Sequence, residues 1–246
     1  MQLAHPAVAA GVAEHSDFRR DPFARLRRTL AATHAVVFGS TLRAERALDR
    51  INAVHGLVNG EVPESGVRYD ALDPSLLLWV HATLVDTAIR VYDRLIAPLT
   101  SAEAEAYHRE ARQVAVRLGV PEAAVPVTLV DLRAEMARMV ASGEVSVSAT
   151  ARGLAQSVLY PSRTLPRVAW DAAHLVSMSV MPAPIRRGYG IGWSGARERG
   201  VERLASAGRR IVPLLPAALR FVPAARAAER RLRVAGAIMP GTHPDR

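Results

Sequence analysis

The stretch whose reading decides the fold runs from Asp73 to Asp86, DPSLLLWVHATLVD. Aspartate followed by proline is a helix start. The carboxylate accepts from the first free amide groups, and proline's fixed φ and missing N–H suit the first helical position. The apolar residues behind it continue far beyond the length of a strand, up to Pro98, so the spacing predicts one long helix over 75–97. Its most apolar part, Leu76 to Ile89, contains His81 and Asp86 and is shorter than a bilayer span requires.

The same grammar extends in both directions. Asp21–Pro22 repeats the start signal and opens a helix to about Phe38, where Gly39 and Ser40 stop it. A second helix is expected from Leu42 to Val58, ending at Asn59–Gly60, and Glu61–Asp70 reads as a surface loop around Pro63 and Gly66. Ser101 with Glu103 and Glu105 begins an amphipathic helix that ends at Gly119. Further helices are predicted at 126–141, 146–157, 163–180, 195–210 and 214–233. No alternating stretch outbids them and no internal repeat occurs. The fold class is all-α: a bundle-like domain over 1–185 and a basic helical C-terminal extension over 186–246.

Composition agrees. Half of the 246 residues are hydrophobic and only 5% are aromatic, so the core is built from Ala, Leu and Val, which suit close helix packing. There is no cysteine, which excludes disulfides, thiolate catalysis and cysteine-held metals. All 32 basic residues are arginine. Residues 186–246 hold 13 of them against 4 acids, so the formal charge of +9 belongs to the C-terminal extension. Its arginines are interleaved with Ala, Leu and Pro rather than with stacking aromatics, which argues against nucleic acid. A solvated end is the plain reading, and peripheral contact with an anionic membrane is the functional one, because the apolar run Ile211–Val222 lies between arginine clusters. The N-terminus lacks a signal-peptide pattern, so a cytoplasmic location is expected. It opens on MQLAHPAVAAGV as though within a packed helix, so either the domain starts abruptly or its start lies upstream of Met1.

The chemistry has to come from histidine and arginine. Neither HExxH, a G-x-S-x-G elbow, a P-loop nor a dinucleotide fingerprint is present. Among the eight histidines, His81 lies on an apolar face with Leu77, Leu78, Leu84, Val85 and Ala88, and His55 on one with Leu48, Ile51 and Val58. A buried imidazole needs a partner, so the plain reading gives each a neighbouring carbonyl or carboxylate. Two such histidines on separate apolar helices also suit an axial iron ligand. In the RLRRT run, Arg25, Arg28 and Thr29 share one side of their helix, while Leu26, Leu30 and Val37 occupy another. Facing solvent they form an ordinary surface; facing inward they would bind propionates or an oxygen-derived ligand. The i,i+4 pair of Asp86 and Arg90 reads as a helix lock, and His5, before Pro6, as a cap or bend.

The ordered series QLAHPAVAAGVAEHSDFRRDPFARLRRT, VHGLVNG and YDALDPSLLLWVHATLVD resembles the oxygenase family of MpaB and the latex-clearing rubber oxygenases over about residues 2–180. The resemblance implies an all-helical fold around haem b, with iron held by a core histidine and an Arg-x-x-Lys-Thr run near the distal side. Carried over, His55 resembles the axial ligand, Arg25 and Thr29 match the run, and Arg28 stands where the family has lysine. Arginine stays charged when buried, which removes a base there. His81 is the alternative ligand or a partner to it. The implied activity is a dioxygen-dependent oxidoreductase cleaving an alkene of an apolar, terpenoid or lipid-like substrate; the redox partner stays open. Two other readings compete: a haem-free apolar-ligand-binding or structural helical protein, and a non-haem metal enzyme using some of His55, His81 and Asp86.

Overall fold

Asp73 caps the central helix as its sequence requires, its carboxylate accepting from the Ser75 N–H at 2.8 Å. In the computed structural model that helix, α4 (Pro74–Leu95), is the axis of the protein. The structure describes residues 1–16, 22–159 and 167–238. The fold is all-α: among the described residues twelve α-helices stand beside one two-stranded ladder. The other helices are α1 (Pro6–His15), α2 (Pro22–Phe38), α3 (Thr41–His55), α5 (Ser101–Leu118), α6 (Leu129–Ala141), α7 (Ala149–Leu159), α8 (Arg167–Ser179), α9 (Ala183–Gly188), α10 (Gly195–Ile211), α11 (Ala217–Arg220) and α12 (Pro223–Ile238).

Local chemistry sets most boundaries. His5 Nδ1 accepts from the Ala7 N–H at 3.2 Å and caps α1, with Pro6 at the first helical position. Thr100 and Glu103 form a reciprocal capping box on α5, and Thr128 with Asp131 does the same on α6, which therefore starts at Leu129 rather than at 126. Gly119 ends α5 with a φ of 113°, the left-handed conformation in which a side chain would be strained. The capping role expected of Asp21 lies outside the described residues.

Three expectations are corrected. Glu61–Asp70 is not wholly loop: Asn59–Glu61 (β1) pairs antiparallel with Arg68–Asp70 (β2) in the register Asn59 to Asp70, Gly60 to Tyr69 and Glu61 to Arg68. Strands of three residues show no alternation, and this ladder is held by burial of Val62 and Tyr69, whose hydroxyl donates to Glu14 at 2.8 Å. Helix α3 stops at His55 instead of Val58, because the chain closes into successive turns with Leu57 and Val58 donating back to Val54 and His55. The segment 214–233 is broken in two, as Pro216 and Pro223 each start a new helix and cannot continue the previous one.

The core lies where α4 meets α5 and α6. Trp79, Ala82, Val85 and Ile89 pack with Ala104 of α5 and with Leu129, Leu132, Met136 and Met139 of α6. Leu84, expected beside His81, is 57% exposed. Asp86 is fully buried and both its oxygens are engaged: Oδ2 accepts from Arg90 Nε at 2.6 Å and Oδ1 from Arg133 Nε at 2.8 Å. The expected helix lock is therefore also a clamp between α4 and α6. After residue 185 the chain stays in contact with the body. Val201 and Ala205 of α10 are buried where it packs on α4 and α8, Arg94 pairs with Glu198, and α12 lies on α2.

Candidate functional site at the open end of the first hairpin

Gly39 and Ser40 alone separate α2 from α3, which makes the pair an αα-hairpin. Its register is visible in the groove between the two: Phe38, Ala35 and Ala31 of α2 line it together with Arg43, Arg46 and Arg50 of α3. Position descends one helix as it climbs the other, so the helices are antiparallel. Continuing that register brings the RLRRT run to the end of α3. Arg25 lies about 21 Å from the turn and His55 about 22 Å, at the helical rise of about 1.5 Å per residue. By the same count Arg28 and Thr29 fall level with Asn52 and Ile51. Thus Arg25 and His55, 30 residues apart in sequence, stand at one level of the hairpin.

At that level polar atoms lack partners. His55 Nδ1 and Asn52 Oδ1 are both buried without a hydrogen bond, and residues three apart share a helix side. The Asn52 amide is held through its other atom, Nδ2, which donates to the Arg117 carbonyl at 3.1 Å. Burial keeps the His55 pKa below that of a free imidazole, so the ring is neutral and its nitrogen lone pair is available. Arg25 is half-buried, and its pKa is lowered by burial and then by the neighbouring Arg28 charge. Arg28 and Thr29 are exposed, so the three residues expected on one side do not share one environment. Leu26, Leu30 and Val37, the apolar side of the same helix, are also exposed, at 51%, 44% and 57%.

His81 belongs to a different cluster. It is buried in the α4–α5 layer near His108, whose charge opposes its own, and burial above all pushes its pKa down to about 4. His81 Nε2 and His108 Nδ1 are both without partners, while His108 Nε2 donates to the Pro126 carbonyl at 3.2 Å. Sequence reasoning passed over His108, although its signal was present: it stands in the buried stripe Ala104, His108 and Ala115 on one face of α5.

Two kinds of metal site can be tested against these residues. The non-haem set of His55, His81 and Asp86 does not form, since Asp86 is engaged by two arginines and His81 lies in the α4–α5 layer near His108. Among the described residues no group of three His, Asp or Glu side chains is placed to hold an ion. A haem needs less from the chain: one neutral imidazole with an open nitrogen and cations for its propionates. His55 has the unpartnered nitrogen, and Arg25 is a half-buried cation at its level along the hairpin.

The chain matches the model of the catalytic domain of the ER-bound oxygenase mpaB/B' and rubber oxygenase over residues 1–210, which includes α10. It is 30% identical over 224 residues to the uncharacterized protein Rv2237 of Mycobacterium tuberculosis, covering 88% of this chain and 86% of that one. The uncharacterized protein Mb2261 of Mycobacterium bovis is similar to the same extent, with the same coverage. No solved structure matches the chain.

Proposed function

The chain belongs to the mpaB and rubber oxygenase family, and on that premise we propose that it is a haem b-dependent oxygenase acting on an apolar, terpenoid or lipid-like substrate, by oxidative cleavage of a carbon–carbon double bond. The family is one of oxygenase catalytic domains, which supports a dioxygen-using oxidoreductase. The observation that carries the haem part is the buried, unpartnered Nδ1 of a neutral His55 at the level of Arg25. In this reading His55 would hold the haem iron and Arg25 would meet a propionate or an oxygen-derived ligand. Arg28 and Thr29 orient the substrate. When bound, haem supplies the iron at which dioxygen is activated. The exposed apolar side chains Leu26 and Leu30 beside Arg25 are the surface an alkene would meet.

Reconstitution of the purified chain with haemin tests this, with His55→Ala and His81→Ala in parallel. The expected result is a Soret band shifted from that of free haemin in the wild type and in His81→Ala, and absent in His55→Ala. A band lost only with His81 would move the ligand into the α4–α5 layer. A spectrum of free haemin with the folded wild type would end the haem reading.

We further propose that the C-terminal region meets the face of an anionic membrane. Leu214, Leu219, Phe221 and Val222 are exposed between Arg210 and Arg226, with Arg220 among them, an apolar edge flanked by cations. Among the described residues no helix is long and apolar enough to cross a membrane, so the contact is peripheral. The chain is expected to sediment with anionic vesicles at low salt, and the double variant Leu219→Glu, Phe221→Glu to remain in the supernatant. Equal sedimentation of both would remove this proposal.

A further inference from the structure

The groove between α2, α3 and α12 has a volume of about 410 Å³, in the range of small-molecule sites. Arg43, Arg46 and Arg50 stand on one side of α3 at spacings of three and four, and Arg231 of α12 closes the opposite wall. No acidic residue lines the groove. None of the three α3 arginines has a carboxylate partner among the described residues: Glu45 on the same helix pairs instead with Arg117, and Arg231 donates to the Phe38 carbonyl. Like charges at helical spacings repel and are not retained by packing, since Arg43, Arg46 and Arg50 are all exposed. The remaining lining is mostly apolar and small, alanines of all three helices with Phe38 at the turn, and His34 of α2 is the one further polar side chain in it. The groove is centred near Ala35 and Arg46, about 14 Å along the helices from the level of His55.

From this we propose that the groove is a binding site for a phosphorylated compound bearing two phosphates, a diphosphate ester or a bisphosphate, with the apolar part of the molecule against the alanines and Phe38. The charge count selects the class. A monocarboxylate would answer one guanidinium of four, and a single phosphate monoester carries about −2 at neutral pH, so two phosphates match the set. Guanidinium forks take phosphate oxygens two at a time, and a groove that is half open keeps their charge screened until the ligand arrives. The site does not depend on haem, and its ligand chemistry has two sources: a soluble diphosphate or the phosphorylated headgroup of a lipid.

Calorimetric titration of the full-length protein with inorganic pyrophosphate and with orthophosphate tests the inference. Pyrophosphate is expected to bind at low salt, more tightly than orthophosphate, with an affinity that falls as salt rises. Arg46→Ala and Arg50→Ala should each weaken it about tenfold, the loss of one charge-assisted contact, while Arg109→Ala, an exposed arginine of α5, should leave it unchanged. The three variants remove one positive charge each, so equal losses in all of them would reduce the effect to net charge and overturn the site. Absence of pyrophosphate binding by the folded wild type at low salt would also overturn it. Vesicles containing an inositol lipid with a bisphosphate headgroup separate the sources. Capture that pyrophosphate reverses in the wild type, but that fails in Arg46→Ala, assigns the headgroup; pyrophosphate binding without such capture assigns the soluble compound.

Discussion

Replacing Trp79 with alanine is expected to lower the free energy of unfolding by about 3–5 kcal/mol, the range for removing a large aromatic side chain from a core. Trp79 is fully buried in the layer between α4, α5 and α6, and its indole Nε1 donates to the Gln2 carbonyl at 3.0 Å. The side chain therefore does two things at once: it fills the centre of the core, and it ties the first turn of the chain to the central helix. Ala4, also fully buried, packs in the same cluster. Trp79→Phe separates the two roles. It keeps most of the apolar volume and loses the hydrogen bond, so its cost should be smaller, with about 1 kcal/mol from the bond itself. Urea unfolding of the three proteins measures both numbers. A loss below about 1 kcal/mol for Trp79→Ala would contradict a core centred on this residue.

Acid is expected to destabilise the protein between pH 6.5 and 4, and His81 to be the main cause. Its pKa falls from 6.5 in the open chain to about 4 in the folded one, through burial and then the opposing charge of His108. The unfolded chain binds the proton that the folded chain refuses, so stability rises with pH across this window. The contribution is fully present above pH 6.5 and is lost as the pH falls toward 4. The shift corresponds to roughly 3 kcal/mol. His5 and His55 are shifted in the same direction, each by burial first, and add to the slope. Urea unfolding at several pH values, for the wild type and for His81→Phe, measures the slope directly. The variant should be flatter from pH 6.5 to 4, and an unchanged slope would clear His81 of the effect.

Both effects arise from the helix that was most legible in the chain. Its start at Asp73–Pro74 is written in two residues whose local hydrogen bond needs no tertiary partner. The same holds for His5–Pro6 and for the left-handed glycine at the end of α5. The long apolar run between such signals made burial of His81 an expected outcome. Leu84 escaped the pattern because α4 is not covered on that side, and nothing in its own sequence says which faces a neighbour will cover. The ladder of β1 and β2 was hidden for a related reason: three residue pairs carry no period, and their pairing is fixed by Tyr69 reaching Glu14, 55 residues away.

The candidate sites divide along the same line. Sequence by itself determined which residue types are available for chemistry: no cysteine, isolated histidines on apolar helices, and an all-arginine complement of basic residues. It also determined the helices that carry them, because caps, prolines and helical spacing act within a few residues. Tertiary structure decided which of those residues meet. The two-residue turn at Gly39–Ser40 folds α2 back on α3 and sets Arg25 level with His55. Packing of α4 on α5 gives His81 to His108, and the two arginines on Asp86 withdraw it from any metal. Laying α12 across the hairpin turns an arginine-rich stretch into one wall of a groove. The physical reason is range: helix formation is governed by bonds between residues four apart, whereas the approach of helices depends on the sum of many weak contacts that no single segment contains.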